Sequence, residues 1–304
     1  MPRAVILGGA GFIGRWLCQT LGRRGWELVV IDLRAPELPG LHWVEADCRE
    51  VEKVTSLVRP GDVVIHLFHS TIPVESEANP EAESEENVLP FEKLVKALSS
   101  LPLKGFLYAS SGGQVYGEPE RLPIAEDHVL RPISAYGEAK RQMEERLLQA
   151  HARWGLPYLI IRMSNPYGPF QERTNRHGVI PRLFRCAVEG ETFILYGGGI
   201  TVRDYIYIED AVEAIARLLE LKAWGHIVNI GTGQGTALKN LITMIETLTH
   251  KKIKIQKAPL RSVDVKNNVL DITRLHKLTG FVPQISLEQG LQKTWEYFQA
   301  HEKT

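Results

Sequence analysis

The sequence predicts an α/β fold: a doubly wound parallel sheet followed by a smaller C-terminal α/β lobe. Short apolar runs bounded by glycine or aspartate alternate with stretches of helical periodicity through the first half, a pattern that returns each strand parallel to the last. The first run leads straight into Gly8-Gly-Ala-Gly11-Phe-Ile-Gly14, a glycine turn between a strand and a helix. The second half is less regular, with short strands and helices separated by proline and glycine. A chain of 304 residues has room for one large domain or two lobes sharing an interface.

Residues 3–7 are an apolar run ending at glycine, hence a buried strand, and 12–24 form a helix closed by Gly25. Residues 27–32 are a second strand, and 41–46 a shorter one ending at Asp47. Residues 62–67, 105–109 and 158–162 complete the strands of the first half; 87–100 and 135–154 carry helical spacing. Further on, 193–196, 204–208 and 226–230 read as strands, and 209–221 and 238–248 as helices. Proline and glycine around 165–170 and 196–199 mark loops. The acidic stretch 75–86 is expected to be a solvated loop whose charge favours the helix that follows. Residues 1–165 are expected to form the first domain, with 203–231 returning to it. Residues 166–202 and 232–304 then form the second lobe, where substrate binds.

Composition excludes several classes of function. Hydrophobic content of 44% with 24% charged residues is that of a soluble globular protein. Lys+Arg and Asp+Glu both total 36, so no charge excess favours nucleic acid or an anionic membrane. Cys18, Cys48 and Cys186 are scattered without metal-ligand spacing, which fits a reducing compartment. The apolar opening at 4–7 runs into glycines rather than forming a signal peptide, and no run approaches the roughly 18 apolar residues of a membrane span. A cytoplasmic protein without metal, membrane or nucleic-acid partner is expected. His66 and His69 have a ligand-like spacing, but no further ligand set accompanies them, so they read as strand-end packing.

The chemistry begins at the glycines. Gly8 permits the tight turn, Gly11 lets a pyrophosphate approach the backbone, and Gly14 lets helix and sheet pack closely. The diphosphate then sits on the helix N-terminus at Phe12 and Ile13, as in a Rossmann domain. Asp32, ending the second strand, suits both hydroxyls of an adenosine ribose and repels a 2′-phosphate, which favours NAD over NADP; Arg34 nearby weighs the other way. Tyr136-Gly-Glu-Ala-Lys140 places a phenol and an ammonium on one helix face. The ammonium, together with the positive ring of a bound nicotinamide, is expected to lower the phenol's pKa from about 10 toward neutrality. A phenolate beside a dinucleotide can take a hydroxyl proton while hydride leaves the carbon.

Together with Asp47 and Arg203-Asp-Tyr-Ile-Tyr-Ile-Glu-Asp210, these motifs resemble the extended short-chain dehydrogenase/reductase family, and within it the NAD-dependent nucleotide-sugar epimerases and dehydratases. The similarity covers nearly the whole chain. It implies that Asp47 and Cys48 lie at the adenine, Leu67 near the nicotinamide, and Asn87 in support of the cofactor site. It implies that Ser110 lines the pocket, that Asn165 touches a substrate diphosphate, and that Arg203 and Arg261 grip it. Guanidinium groups suit this task because they stay charged and can bond phosphate in bidentate fashion. It also implies a homodimer through a bundle of the 87–100 and 135–154 helices.

The sequence departs from the family at Gly112, which aligns with the catalytic Ser or Thr; adjacent Ser111 is the candidate to supply the hydroxyl. Many dehydratases carry Thr-Asp-Glu where this chain has Gly112-Gly-Gln114, which argues against that chemistry, and Glu118 and Glu138 read as surface residues. The resemblance therefore implies a nucleotide-sugar 4-epimerase. Tyr136 takes the C4 hydroxyl proton while hydride passes to NAD, and Lys140 assists the tyrosine and binds the nicotinamide ribose. The 4-keto sugar then turns and takes the hydride back on its other face. A 4-ketoreductase, an atypical dehydratase and a non-catalytic dinucleotide-binding regulator are the alternatives.

Overall fold

Strands form where the apolar runs lie. In the computed structural model, which describes residues 1–71, 73–171, 178–261 and 264–301, the first half runs β1 (Arg3–Leu7), α1 (Phe12–Arg23), β2 (Glu27–Asp32), β3 (His42–Glu45), α2 (Val51–Leu57), β4 (Val63–His66), α3 (Pro73–Ala78), α4 (Pro80–Glu83), α5 (Leu89–Leu98), β5 (Gly105–Ser111), α6 (Ala135–Trp154) and β6 (Tyr158–Met163). The second half runs β7 (Asn165–Tyr167), α7 (Val179–Glu189), β8 (Thr192–Tyr196), β9 (Val202–Tyr207), α8 (Ile208–Glu220), β10 (His226–Ile230), β11 (Gly235–Ala237), α9 (Leu238–Thr249), β12 (Lys254–Ala258), β13 (Asn267–Asn268), α10 (Thr273–Thr279) and α11 (Leu287–His301).

Seven strands make one sheet in the order β10-β6-β5-β4-β1-β2-β3, every pair parallel. Side chains alternate across a strand, and here both faces are covered, which is why the strands read as continuous apolar runs. Ala4 and Ile6 of β1 join Leu17 and Leu21 of α1 and Ile215 of α8 on one side. Val5 and Leu7 join Phe91 and Leu94 of α5 and Met143 and Leu147 of α6 on the other. The chain reverses its direction of travel across the sheet between β1 and β4, so their C-terminal ends border a crevice where α/β proteins bind ligands.

A second sheet is built on β9, which pairs with β7 and β13 in parallel and with β11 antiparallel; β8 and β12 form a separate parallel pair. Phe184 of α7 stacks on Trp295 of α11 at 5.4 Å, and Phe298 closes the cluster. After β9, α8 and β10 rejoin the large sheet. Among the described residues no helix is long and apolar enough to cross a membrane.

The acidic stretch departs from expectation. It is helical, passing from α3 and α4 through a π-helical turn at Ser84–Val88 into α5. Leu89 N–H donates to Ser84 O, five residues back, just before Pro90, which has no N–H to give. Glu83 is not solvated: it is 3% exposed. The loop expected at 165–170 contains β7, and β5 extends to Ser111. Helices α7, α10 and α11 lie outside the sequence expectations; α7 carries Pro181 in its first turn, where proline is tolerated but reads as a break.

A buried polar network fixes α6 against the sheet. Glu144 of α6 accepts from Arg162 of β6 through Nε (3.1 and 3.2 Å) and Nη2 (2.6 Å). Arg162 Nη1 also donates to Tyr116 Oη and Glu126 O, and the Tyr116 hydroxyl donates to Asn229 Oδ1 at 2.7 Å. Breaking such a pair strands a buried charge. Glu144→Leu is expected to lower unfolding stability by about 3–5 kcal/mol in a denaturant titration, and Glu144→Leu with Arg162→Met by clearly less.

Candidate active site at the strand ends

The glycine turn is shaped by close approach. Gly8 has φ +81°, and a Cβ there would lie 3.0 Å from Phe68 N, where the chain leaving β4 passes. A Cβ on Gly14 would lie 2.4 Å from Gly8 O, so only glycine lets α1 pack so near the turn. Gly11 precedes α1 without any side-chain cap, and no acidic residue stands in the first turn at Phe12 and Ile13. The helix N-terminus is thus open to an anion. Asp32 Oδ2 accepts from Ala10 N–H at 3.0 Å and Oδ1 from Arg34 N–H at 3.2 Å, which anchors a partly exposed carboxylate at the rim. The cradle fits a dinucleotide diphosphate and the carboxylate fits a ribose diol. Arg34 gives Asp32 its backbone amide, and its side chain is exposed.

Three further positions flank this cradle. Leu67 is half-buried, its N–H bonded to Leu7 O at 3.0 Å. The Asp47 carboxylate is taken up by Arg49, through Nε at 3.0 Å and Nη2 at 2.6 Å, and those bonds hold it below the usual carboxylate range. The Cys48 thiol is in the core, directed at Ile31 O, and burial pushes its pKa up to about 12. Its side chain therefore offers a ligand nothing.

Ser134 caps α6 by accepting from Gly137 N–H at 3.0 Å, which sets Tyr136 in the first turn and Lys140 one turn on. Lys140 is 3% exposed. Its Nζ donates to Ala109 O at 3.0 Å, 5.6 Å from the centre of the Tyr136 ring and 5.1 Å from that of Tyr108. Burial lowers its pKa to about 8, against the raising influence of Glu83 and Glu144.

The expected acidification of Tyr136 is not present in this structure: burial, with the Glu83 anion, pushes the phenol up. Glu83 accepts from His69 Nε2 (2.9 Å), Asn87 Nδ2 (3.0 Å), Thr71 Oγ1 and Ser76 Oγ. Burial alone would raise its pKa, but the donors outweigh it and bring the carboxyl to about 2. Asn87 Oδ1 in turn accepts from Ser70 N–H at 2.9 Å. His66 is packed among Phe91, Phe106 and Tyr108, and burial drops its pKa to about 3. Strand-end packing thus describes His66 but not His69, whose ring stands edge-on to Tyr136 at 4.8 Å. Sequence reasoning missed Glu83 because it sits within a run of acids, and nothing in that run marks the one that His69, Thr71, Ser76 and Asn87 enclose.

A side chain at residue 112 would need its neighbours to move. A Cβ there would lie 2.6 Å from Leu270 Cδ1 and 3.1 Å from two backbone oxygens of β6, while Gly112 O accepts from Asn268 Nδ2 at 2.8 Å. Ser110 does not line the pocket: its hydroxyl donates to Glu144 Oε1 in the buried network. Ser111, the last residue of β5, is partly exposed and remains the serine available to the crevice. Gln114 Oε1 accepts from Ser134 Oγ at 2.9 Å, tying this loop to the cap of α6. Glu118 is exposed and Glu138 pairs with Arg141, as surface residues do.

The smaller lobe brings two guanidinium groups together. Arg203 Nη1 donates to Val202 O at 2.9 Å and has no carboxylate partner among the described residues. Burial lowers its pKa, and Arg261 is near enough to add to that effect. Arg261 pairs with Asp264 at 2.8 Å and lies 4.6 Å over the Tyr196 ring. Asn165, on β7 beside Arg203's strand, donates through Nδ2 to Asp204 O at 2.9 Å. Two neighbouring cations with one carboxylate between them make a place for an anion.

The family model described as NAD dependent epimerase/dehydratase family matches residues 4–231. A putative UDP-glucose 4-epimerase of Methanocaldococcus jannaschii is 30% identical, with 99% of each chain covered. A dTDP-4-dehydro-6-deoxyglucose reductase of Escherichia coli is 33% identical, with 95% of each covered. Among solved structures, the UDP-glucose 4-epimerase of Thermotoga maritima with UDP-glucose matches at TM-score 0.90 and 31% identity, covering 98% of this chain and 99% of that one. The Thermus thermophilus UDP-glucose 4-epimerase in complex with NAD matches at TM-score 0.89 and 29% identity, with the same coverage. With its glycine cradle, Asp32 and this match over three quarters of its length, the chain belongs to the NAD-dependent epimerase/dehydratase family, within the extended short-chain dehydrogenases/reductases, and NAD is its cofactor.

Proposed function

We propose that the protein is a 4-epimerase of UDP-sugars, with Tyr136 as its proton-transfer group. The observation that carries this reading is the placement of Tyr136 and Lys140 on one face of α6 at the strand ends that border the glycine cradle. NAD, when bound, accepts a hydride from the sugar carbon and returns it. Tyr136 takes the proton of the hydroxyl being oxidised and gives it back on reduction. Lys140, held by Ala109 O, supports the phenolate with its charge. Burial and Glu83 disfavour the phenolate, so positive charge added beside Tyr136 favours release of its proton. Base formation is thereby linked to cofactor occupancy. Arg203, Arg261 and Asn165 hold the nucleotide diphosphate, with Asp264 sharing or releasing Arg261, and Ser111 bonds the sugar oxygen in place of the hydroxyl absent at 112.

The second reading is a 4-ketoreductase on the same scaffold, favoured by the relative named a dTDP-4-dehydro-6-deoxyglucose reductase. An epimerase needs no added reductant, whereas a reductase consumes NADH mole for mole. Incubation with UDP-glucose is expected to yield the C4 epimer without added NADH; product appearing only with stoichiometric NADH selects the reductase.

Tyr136→Phe is expected to cut kcat by about 10²–10⁴-fold while NAD binding, followed by protein fluorescence, stays intact. Loss of binding with activity would indicate a structural role instead. Within this reading the protein is a cytoplasmic homodimer joined through the outward faces of α5 and α6. Those faces present Leu89 among Glu92, Lys93, Lys96 and Glu145, so sedimentation is expected to show the dimer loosening as salt rises.

A further inference from the structure

Tyr136 abuts a second pair of ionisable groups that the reaction above does not use. The His69 ring stands edge-on to the Tyr136 ring, at 4.8 Å between centres and 73° between planes, and its Nε2 is 2.9 Å from Glu83 Oε2. Thr71, Ser76 and Asn87 also donate to Glu83, so the carboxylate accepts at both oxygens and His69 Nε2 must carry the hydrogen in the shared bond. The bond lies in a buried setting: the His69 side chain is 7% exposed and that of Glu83 4%.

Among the described residues, these other charged and titratable groups are packed around this pair. Lys140 lies one turn along α6 and His66 is on β4, buried among aromatic rings. Tyr108 is on β5, and Glu144, further along α6, is committed to Arg162. On α3, Glu77 accepts from Ala135 N–H at the start of α6 and faces solvent.

We propose that His69 is a positioning residue for Tyr136, and that with Glu83 it forms an ion pair whose balance sets the acidity of the phenol. The inference rests on the reading of Tyr136 as the proton-transfer group. Glu83 alone opposes a phenolate; a positive charge on His69, which is bonded to Glu83 and in T-shaped contact with the Tyr136 ring, offsets that field. With glycine at residue 112, this pair is the polar support that the phenol has from the side of β4. It stands in the wall of the site and does not touch the reacting sugar.

The two members act with opposite sign, which makes the idea sharp. In NAD-loaded protein, the phenol of residue 136 is titrated by tyrosinate absorbance, with Tyr136→Phe as the blank that removes the other tyrosines. His69→Phe keeps the ring contact and removes the charge, and is expected to move the midpoint up by about one pH unit. Glu83→Gln removes the anion and is expected to move it down by a similar amount. The acid limb of the kcat profile should follow in each case. Glu83→Gln leaves four donors facing an amide and risks misfolding, so the decision rests on His69→Phe, whose fold is checked by its melting curve. An unmoved midpoint in folded His69→Phe overturns the proposal and leaves Tyr136 as the base. A Tyr136→Phe protein that keeps its activity overturns both.

Discussion

The ion pair between Arg162 and Glu144 is the constraint on which the candidate site depends. Tyr136, Lys140 and Glu144 stand four residues apart on α6, so whatever fixes Glu144 fixes the other two. Arg162 grips that carboxylate from the sheet while its remaining edge holds Tyr116 and the Glu126 carbonyl. Sliding α6 by a turn would leave two charges unpaired in a place without water. Apolar packing alone would tolerate such a slide far better, because the Met143 and Leu147 stripe repeats. What the pair contributes is register, and register is what presents a phenol and an ammonium at the ends of the strands.

Lys140 occupies an unusual electrical position. It is buried, yet two carboxylates lie within reach of its field, Glu144 on its own helix and Glu83 from α4. Those anions keep the ammonium charged despite its burial. The same Glu83 that supports Lys140 works against an anion on Tyr136. One carboxylate thus has opposite effects on the two members of the pair, and the outcome turns on what other charge enters the crevice.

Much of this arrangement was legible in the chain. The glycine turn, the parallel strands and the Tyr136–Lys140 spacing are local signals, each set by residues adjacent in sequence, and the structure has them where the spacing puts them. Ser110, Cys48 and Glu83 were not legible, because their partners lie on other elements. Ser110 meets Glu144, 34 residues away; Cys48 turns to Ile31; and Glu83 is enclosed by Thr71 and His69 from the segment that follows β4. A carboxylate among five other acids between 75 and 86 resembles solvent-facing charge until its neighbours in space are known. The aromatic contact of Phe184 with Trp295 likewise joins α7 to α11 across more than a hundred residues.

Leu270 fills the volume that a side chain at residue 112 would need, and it belongs to the smaller lobe, in contact with Val115, Tyr116 and Ile124. The two positions are therefore coupled across the boundary between lobes. A serine introduced at 112 meets the Leu270 methyl group, so the room for a hydroxyl there depends on how that leucine packs. An apolar side chain far along the sequence thus bears on which polar groups the strand end can carry.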